Sequence, residues 1–335
     1  MAWPLFDRIV EQASAGGYRN PWVACGDNAA EPRFEVDLHT LQRLLAVPIM
    51  LSAPSTTGIP ALALDVWVAY ELRRAGFDQD AVWPRASAPR VLPSTVSQML
   101  DKATVADRSA LETMTRSGRY AGAFGASANI LGKNYVKQVD VVISAWNTGP
   151  ELMISTKRMD SSLGNNAANR VEESYGDAAN LRARHPQAAL GFVYSLGSAA
   201  ILESRPKAEW LIDLLGKLGR HDDAYDAVAL LVPELSGTPL DDDQGDGEDR
   251  LKAAGLVDDS PDDAPMDGLF DEAVLHTSAL DPQLAALPPV RLLWDDVPQR
   301  LRPEAFFQTM VTRVLDNSPI TFHQEARRRL AHPRT

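Results

Sequence analysis

Two short runs in the middle of the chain carry residue types that could do hydrolytic chemistry together. Asp140 stands in the β-branched run 138–145 (QVDVVISA), and Ser155, Thr156 and Lys157 close the run 151–157 (ELMISTK). Between the runs, NTGP at 147–150 has hairpin chemistry: Asn and Gly accept the positive φ of a tight turn. Side chains alternate along a strand, so Ser155 and Lys157 share a face, with Met153 and Glu151 behind them. An acid on one strand and a lysine on its neighbour then point at one place. An acid inside VDVVI is costly to hold unless it is paired. Phosphodiester hydrolysis uses such a pairing. It needs oxygen ligands for a hard divalent cation, of which Mg2+ takes only one or two carboxylates from the protein. It also needs a positive group near the attacking water and the charged transition state.

Several elements must hold these residues in place. Pro60 opens an amphipathic stretch, ALALDVWVAYELRRAGF, in which Leu64, Trp67, Val68, Glu71 and Leu72 fall on one helical face; Gly76 is a natural stop. Helices are also expected at 36–46, 94–115, 165–184, 206–218 and 306–315, and strands at 138–145, 151–157, 188–196 and 225–232. Alternation of helices and strands implies an α/β core with a mixed sheet flanked by helices, plus additional helical segments. The chain divides into an N-terminal helical segment (1–59), a core (60–235), an acidic segment (236–268) whose composition predicts a mobile loop, and a C-terminal helical segment (269–335) packing on the core.

With these elements the chain resembles the PD-(D/E)xK nuclease superfamily, most of all its type II restriction endonucleases, over about residues 60–196 and most sharply over 134–195. In that family an acid on one strand precedes a (D/E)-x-K triplet on the next, within an αβββαβ core, and a glutamate on the first helix often assists. Here Asp140 is preceded by valine rather than proline, and Ser155 fills the acidic slot of the triplet. Serine cannot replace a carboxylate on magnesium. A subgroup of these enzymes shares the S-x-K form, and a glutamate from the following helix reaches back into the vacant place.

The resemblance therefore implies Asp140 and Glu172 as ligands of Mg2+ (with Mn2+ as a substitute), with the Thr156 carbonyl as a further ligand. Glu173 is the substitute for Glu172, Lys157 orients or deprotonates water, and Glu71 holds a second metal or a metal-bound water. Helical spacing places Glu172 with Ala168, Tyr175 and Ala179, the side expected to pack on the sheet, and Glu173 with Asn169, Asp177 and Asn180 on a polar face.

Arg116, Arg119, Lys133 and Lys137 flank a Gly-rich stretch and suit phosphate contacts, as does Arg158 beside the triplet. Asn165, Asn166, Asn169 and Arg170 suit phosphates or base edges. Each has a plainer reading: Asp140 as a strand-edge acid, Lys157 as a strand-end lysine, Glu172 as a solvated helix residue, the amides as helix caps. Ser155 has no histidine spaced to make it a nucleophile. The expected function is Mg-dependent cleavage of double-stranded DNA by a homodimer. The alternatives are a repair, recombination or phage-defence nuclease on the same core, or an inactive DNA-binding or interaction module.

The 335 residues carry a net charge of −12, which opposes a nucleic-acid partner. Its distribution weakens the objection. Between Asp241 and Glu272 thirteen acids face only Arg250 and Lys252, a net of −11, leaving −1 for all the rest. Cys25 is the sole cysteine, which excludes an intramolecular disulfide and a cysteine-based zinc cage. The opening MAWPLFDRIVEQ lacks the apolar run of a signal peptide, and no membrane span is expected, so the sequence reads as cytoplasmic.

Overall fold

A computed structural model describes residues 2–25, 32–54, 57–87, 90–107, 109–110, 128–159, 166–220, 224–234 and 277–335. The acidic segment 236–268 lies outside them, as do Arg116, Arg119 and Asn165.

The fold is α/β, built on a five-stranded mixed sheet. Its strands are β3 (Val82–Trp83), β6 (Val141–Ala145), β7 (Gly149–Met159), β8 (Ala189–Leu196) and β9 (Ala227–Leu231), paired in the order β3-β6-β7-β8-β9. The first two pairings are antiparallel and the last two parallel. The parallel half is where helices cross over: α5 (Asn166–Arg184) links β7 to β8, and α6 (Ser198–Glu203) with α7 (Arg205–Leu218) links β8 to β9. Smaller two-stranded pairs are β1 (Trp22–Val23) with β2 (Arg33–Phe34), β4 (Ala128–Leu131) with β5 (Val136–Val139), and β10 (Pro233–Glu234) with β11 (Arg291–Leu292).

Strand alternation splits the sheet into two cores. Val141, Ile143, Leu152, Ile154, Ala189, Val193 and Ala229 face one side. There they meet α1 (Ala2–Ala13), α2 (Leu38–Met50), α3 (Ile59–Ala75), α8 (Asp281–Ala285) and α9 (Pro303–Asn317). Val142, Met153, Leu190, Phe192, Tyr194, Val228 and Leu230 face α5, α6 and α7 on the other side. The N- and C-terminal helical segments thus share one apolar layer over the sheet rather than standing apart from it.

Local chemistry sets the helix ends. Asp37 caps α2 by accepting the Thr40 N–H at 3.0 Å. Gly76 ends α3 at φ 101, and a Cβ there would lie 2.8 Å from the backbone N of Ala326. That close approach docks α10 (Gln324–Ala331) against α3.

Two elements differ from the expectation. The run 138–145 is two strands, broken at Asp140, because β5 pairs with β4 while β6 pairs with β7. The helix expected over 94–115 is described as α4 (Ser94–Lys102), ended by Ala103 in extended conformation. No described helix is long and apolar enough to cross a membrane.

Candidate functional site

Asp140 sits at the junction of β5 and β6. The pairing of Val141 with Ile154 brings it opposite Ser155. Its carboxylate Oδ2 accepts the backbone N–H of Thr156 at 2.7 Å. The alternation that buries Leu152 and Ile154 on the α3 side sends Thr156 the same way, and its hydroxyl donates to Asp65 Oδ1 at 2.6 Å. One buried residue, Thr156, therefore bridges two carboxylates, Asp65 from α3 and Asp140 from the strand junction.

Burial first, and then the charge of Asp140, hold the Asp65 carboxyl well above the usual carboxylate range, against the Thr156 hydrogen bond and the charge of Lys157. The acid pair is half-buried, with Lys157 acting on Asp65 and Lys137 on Asp140. Its oxygens suit a hard divalent cation, for which two carboxylates and water suffice.

Asp65 was not singled out in the sequence, although a signal existed. It is the only charged residue between Ile59 and Tyr70, an acid inside an apolar helical run. Glu71 stands out instead because it lies on the apolar face, and the structure gives it other work. Its two oxygens accept the Asp37 N–H at 2.7 Å and Arg74 Nη1 at 2.6 Å, in a fully buried ion pair that ties α3 to the start of α2. Six residues separate it from Asp65, and it does not join the Thr156 cluster.

The glutamates of α5 also fall differently. Its inward line is Val171, Ser174, Asp177, Ala178 and Leu181, all buried. Glu172 is exposed, and Tyr175, expected to pack beside it on the sheet, is 40% exposed. The helix is thus rotated so that Glu172 faces solvent. Glu173 is half-buried on the side of Tyr135 and Lys137, both of which feel its charge. Among the described residues no group of three His, Cys, Asp or Glu side chains is placed to hold a metal ion. A cation here would rest on Asp65 and Asp140 rather than on Asp140 and Glu172.

Ser155 and Lys157 point to the α5 side of β7, alongside Met153 and Met159. The Ser155 hydroxyl lies close enough to that of Tyr225 to influence its ionisation, and Tyr225 donates to the Ser174 carbonyl at 2.9 Å. Serine in the acidic slot is thereby a packing link between β7 and α5. Lys157 is half-buried, near enough to Asp65 for its charge to be felt there.

The candidate DNA contacts separate. Arg158 is buried, with Nη1 donating to the Pro60 carbonyl at 3.1 Å; it anchors β7 under the first turn of α3 and is not displayed. Lys137 pairs with Asp177 at 2.7 Å. Lys133 and Asn169 are exposed, while the side chains of Asn166 and Arg170 lie outside the described residues. Compared with known protein families, with curated proteins and with solved structures, the chain matches none.

Proposed function

We propose that the chain is a divalent-metal-dependent endonuclease acting on double-stranded DNA, of the type II restriction kind. The observation that carries the reading is the bridge at Thr156, which links Asp65 and Asp140, with Lys157 on the other face of β7 near enough for its charge to reach Asp65. The order of elements supports it once α4, β4 and β5, which lie between β3 and β6, are set aside: α3, β3, β6, β7, α5 and β8 then follow the helix–strand–strand–strand–helix–strand path the PD-(D/E)xK resemblance implies.

Mg2+ held by Asp65 and Asp140 would supply Lewis-acid polarisation of the phosphate. Lys157 orients the attacking water and offsets charge building on the phosphorane oxygens. Thr156 fixes the two carboxylates relative to each other through its N–H and hydroxyl. A homodimer would place two such sites on opposite strands of a palindromic sequence.

The test is a plasmid digest with Mg2+ and with EDTA. Wild type should give discrete bands only with Mg2+. D140A, D65N and K157A should each lower the rate by about a hundredfold or more, the usual scale for removing a group that acts on the transition state. Undiminished cleavage by D140A or K157A would sink the assignment. A second reading, an inactive DNA-binding module, is favoured by Ser155 standing where a carboxylate is expected; intact plasmid with bound DNA is its signature.

A further inference from the structure

The β4–β5 hairpin has two faces of opposite character. Its inner face carries Ala128 and Val139, buried in the α5-side core, with Ile130 and Lys137 between them. Its outer face carries Asn129 and Leu131 from β4 and Val136 and Gln138 from β5, all exposed, with Leu131 at 47% and Val136 at 49%. Register places Asn129 directly across from Gln138, and Leu131 across from Val136. The outer face is therefore one amide pair followed by one aliphatic pair, ending in a turn where Lys133 and Asn134 are also exposed.

This ribbon is held rigidly from behind. Asn180, buried in α5, accepts the Asn134 N–H at 2.8 Å, donates to the Tyr135 carbonyl at 3.1 Å, and fills the space a Cβ on Gly132 would need. Asp177 accepts the Tyr135 hydroxyl at 2.9 Å as well as pairing with Lys137.

We propose that the outer face of this ribbon reads base edges in the major groove of double-stranded DNA, and so sets the sequence at which the Asp140 site cuts. The proposal rests on the nuclease reading. A primary amide offers a donor and an acceptor together, the pattern that matches the major-groove edge of adenine, and aliphatic side chains pack on the thymine methyl. The groove admits a two-stranded ribbon. Lys133 at the tip suits a phosphate, which fixes register without reading sequence. Among the described residues the face carries no aromatic or arginine anchor of the kind that dominates protein interfaces, which argues for DNA over a protein partner. Continuity supplies the coupling: β5 runs straight into Asp140, two residues beyond Gln138, about 7 Å along a strand. A base read by the ribbon would thus be registered against the carboxylate that works on the phosphate.

The experiment uses a library of duplexes with a randomised segment. The full-length protein cuts it with Mg2+, and the D140N protein selects from it by binding. Wild type, N129A/Q138A and K133A are each taken through both arms, after thermal melts establish that the variants are folded. Relaxed base preference in N129A/Q138A, with about a ten- to hundredfold loss at the wild-type sequence, is the expected result. K133A should weaken all sequences alike. Unchanged preference in N129A/Q138A overturns the proposal. So does loss of self-association without loss of preference, which would make the face a contact between copies. If wild type cuts nothing, the nuclease reading fails, yet the binding arm still decides: a sequence enriched by D140N and lost in D140N/N129A/Q138A supports the ribbon, and no enrichment overturns it.

Discussion

Two acids on α3, six residues apart, occupy opposite electrostatic situations. Asp65 faces another carboxylate, while Glu71 faces a guanidinium and a backbone N–H. Burial nevertheless pushes the Glu71 carboxyl up to about 7, from an ordinary 4.5, against the pull of Arg74. Because the folded state holds this proton to higher pH than the unfolded state, the unfolded state binds fewer protons between those values. Stability should then fall as pH rises from about 4.5 through about 7, by roughly 3 kcal/mol from this group at 1.36 kcal/mol per unit. Urea denaturation across that range checks it: E71Q, which cannot titrate, should flatten the slope, and an E71Q curve parallel to wild type refutes it. E71Q should also keep cleaving at temperatures where it is folded, whereas D65N should not. Asp140, Ser155 and Lys157 were legible as a pattern because strand alternation fixes where neighbours point. Asp65 and Glu71 were not separable on the same grounds. A helical wheel reports which face is apolar, and both acids lie in a helix buried over most of its length.

The strands around the site show how far pattern reaches at the level of elements. The runs ELMISTK and AALGFVYSL become β7 and β8 almost as expected, since hydrophobic continuity between turn signals defines a buried strand. QVDVVISA reads as one strand for the same reason. Only tertiary pairing divides it, β5 to β4 and β6 to β7, and the division is what frees Asp140 from a strand interior. The rotation of α5 was equally hidden: Val171, Ser174 and Asp177 make its buried line, and two of those three are polar residues that a hydrophobicity count places outside. A further constraint invisible in sequence is Gly191 in the middle of β8. A Cβ there would meet Phe306 Cζ at 2.8 Å, Met310 Cε at 2.9 Å and Ile154 Cγ1 at 3.0 Å. Side chains of α9 therefore press on β8 where the glycine stands, and a methyl group there would require Phe306 and Met310 to shift. G191A should cost about 1–3 kcal/mol by overpacking, and less in an M310A background, where the methionine tip is gone. Equal costs in the two backgrounds, measured by chemical denaturation, would show that the crowding is relieved elsewhere.

At the scale of the whole molecule, charge is the property that bears most on a DNA partner. Most of the net −12 belongs to the stretch between Asp241 and Glu272, and the rest of the chain is close to neutral. On either side of that stretch the described chain is tied down: β10 pairs Pro233 with Leu292 and Glu234 with Arg291, across the whole of the intervening sequence. Shortening the segment should leave these ends where they are. Deleting 238–265 removes ten acids and two basic residues, and takes the net charge from −12 to −4. Thermal midpoint should stay within about 2 °C, since the deletion touches none of the described residues that form the two cores. DNA affinity should rise about tenfold at 50 mM salt. The gain should shrink toward nothing near 0.5 M, because a repulsion acting through solvent is screened within a few ångströms there. Fluorescence anisotropy with a D140N background, in which DNA is bound and not cut, gives both limits in one titration series. Affinity unchanged at low salt would make the segment electrostatically silent. A gain that survives high salt would mean that the segment competes for the DNA site by contact rather than by charge at a distance.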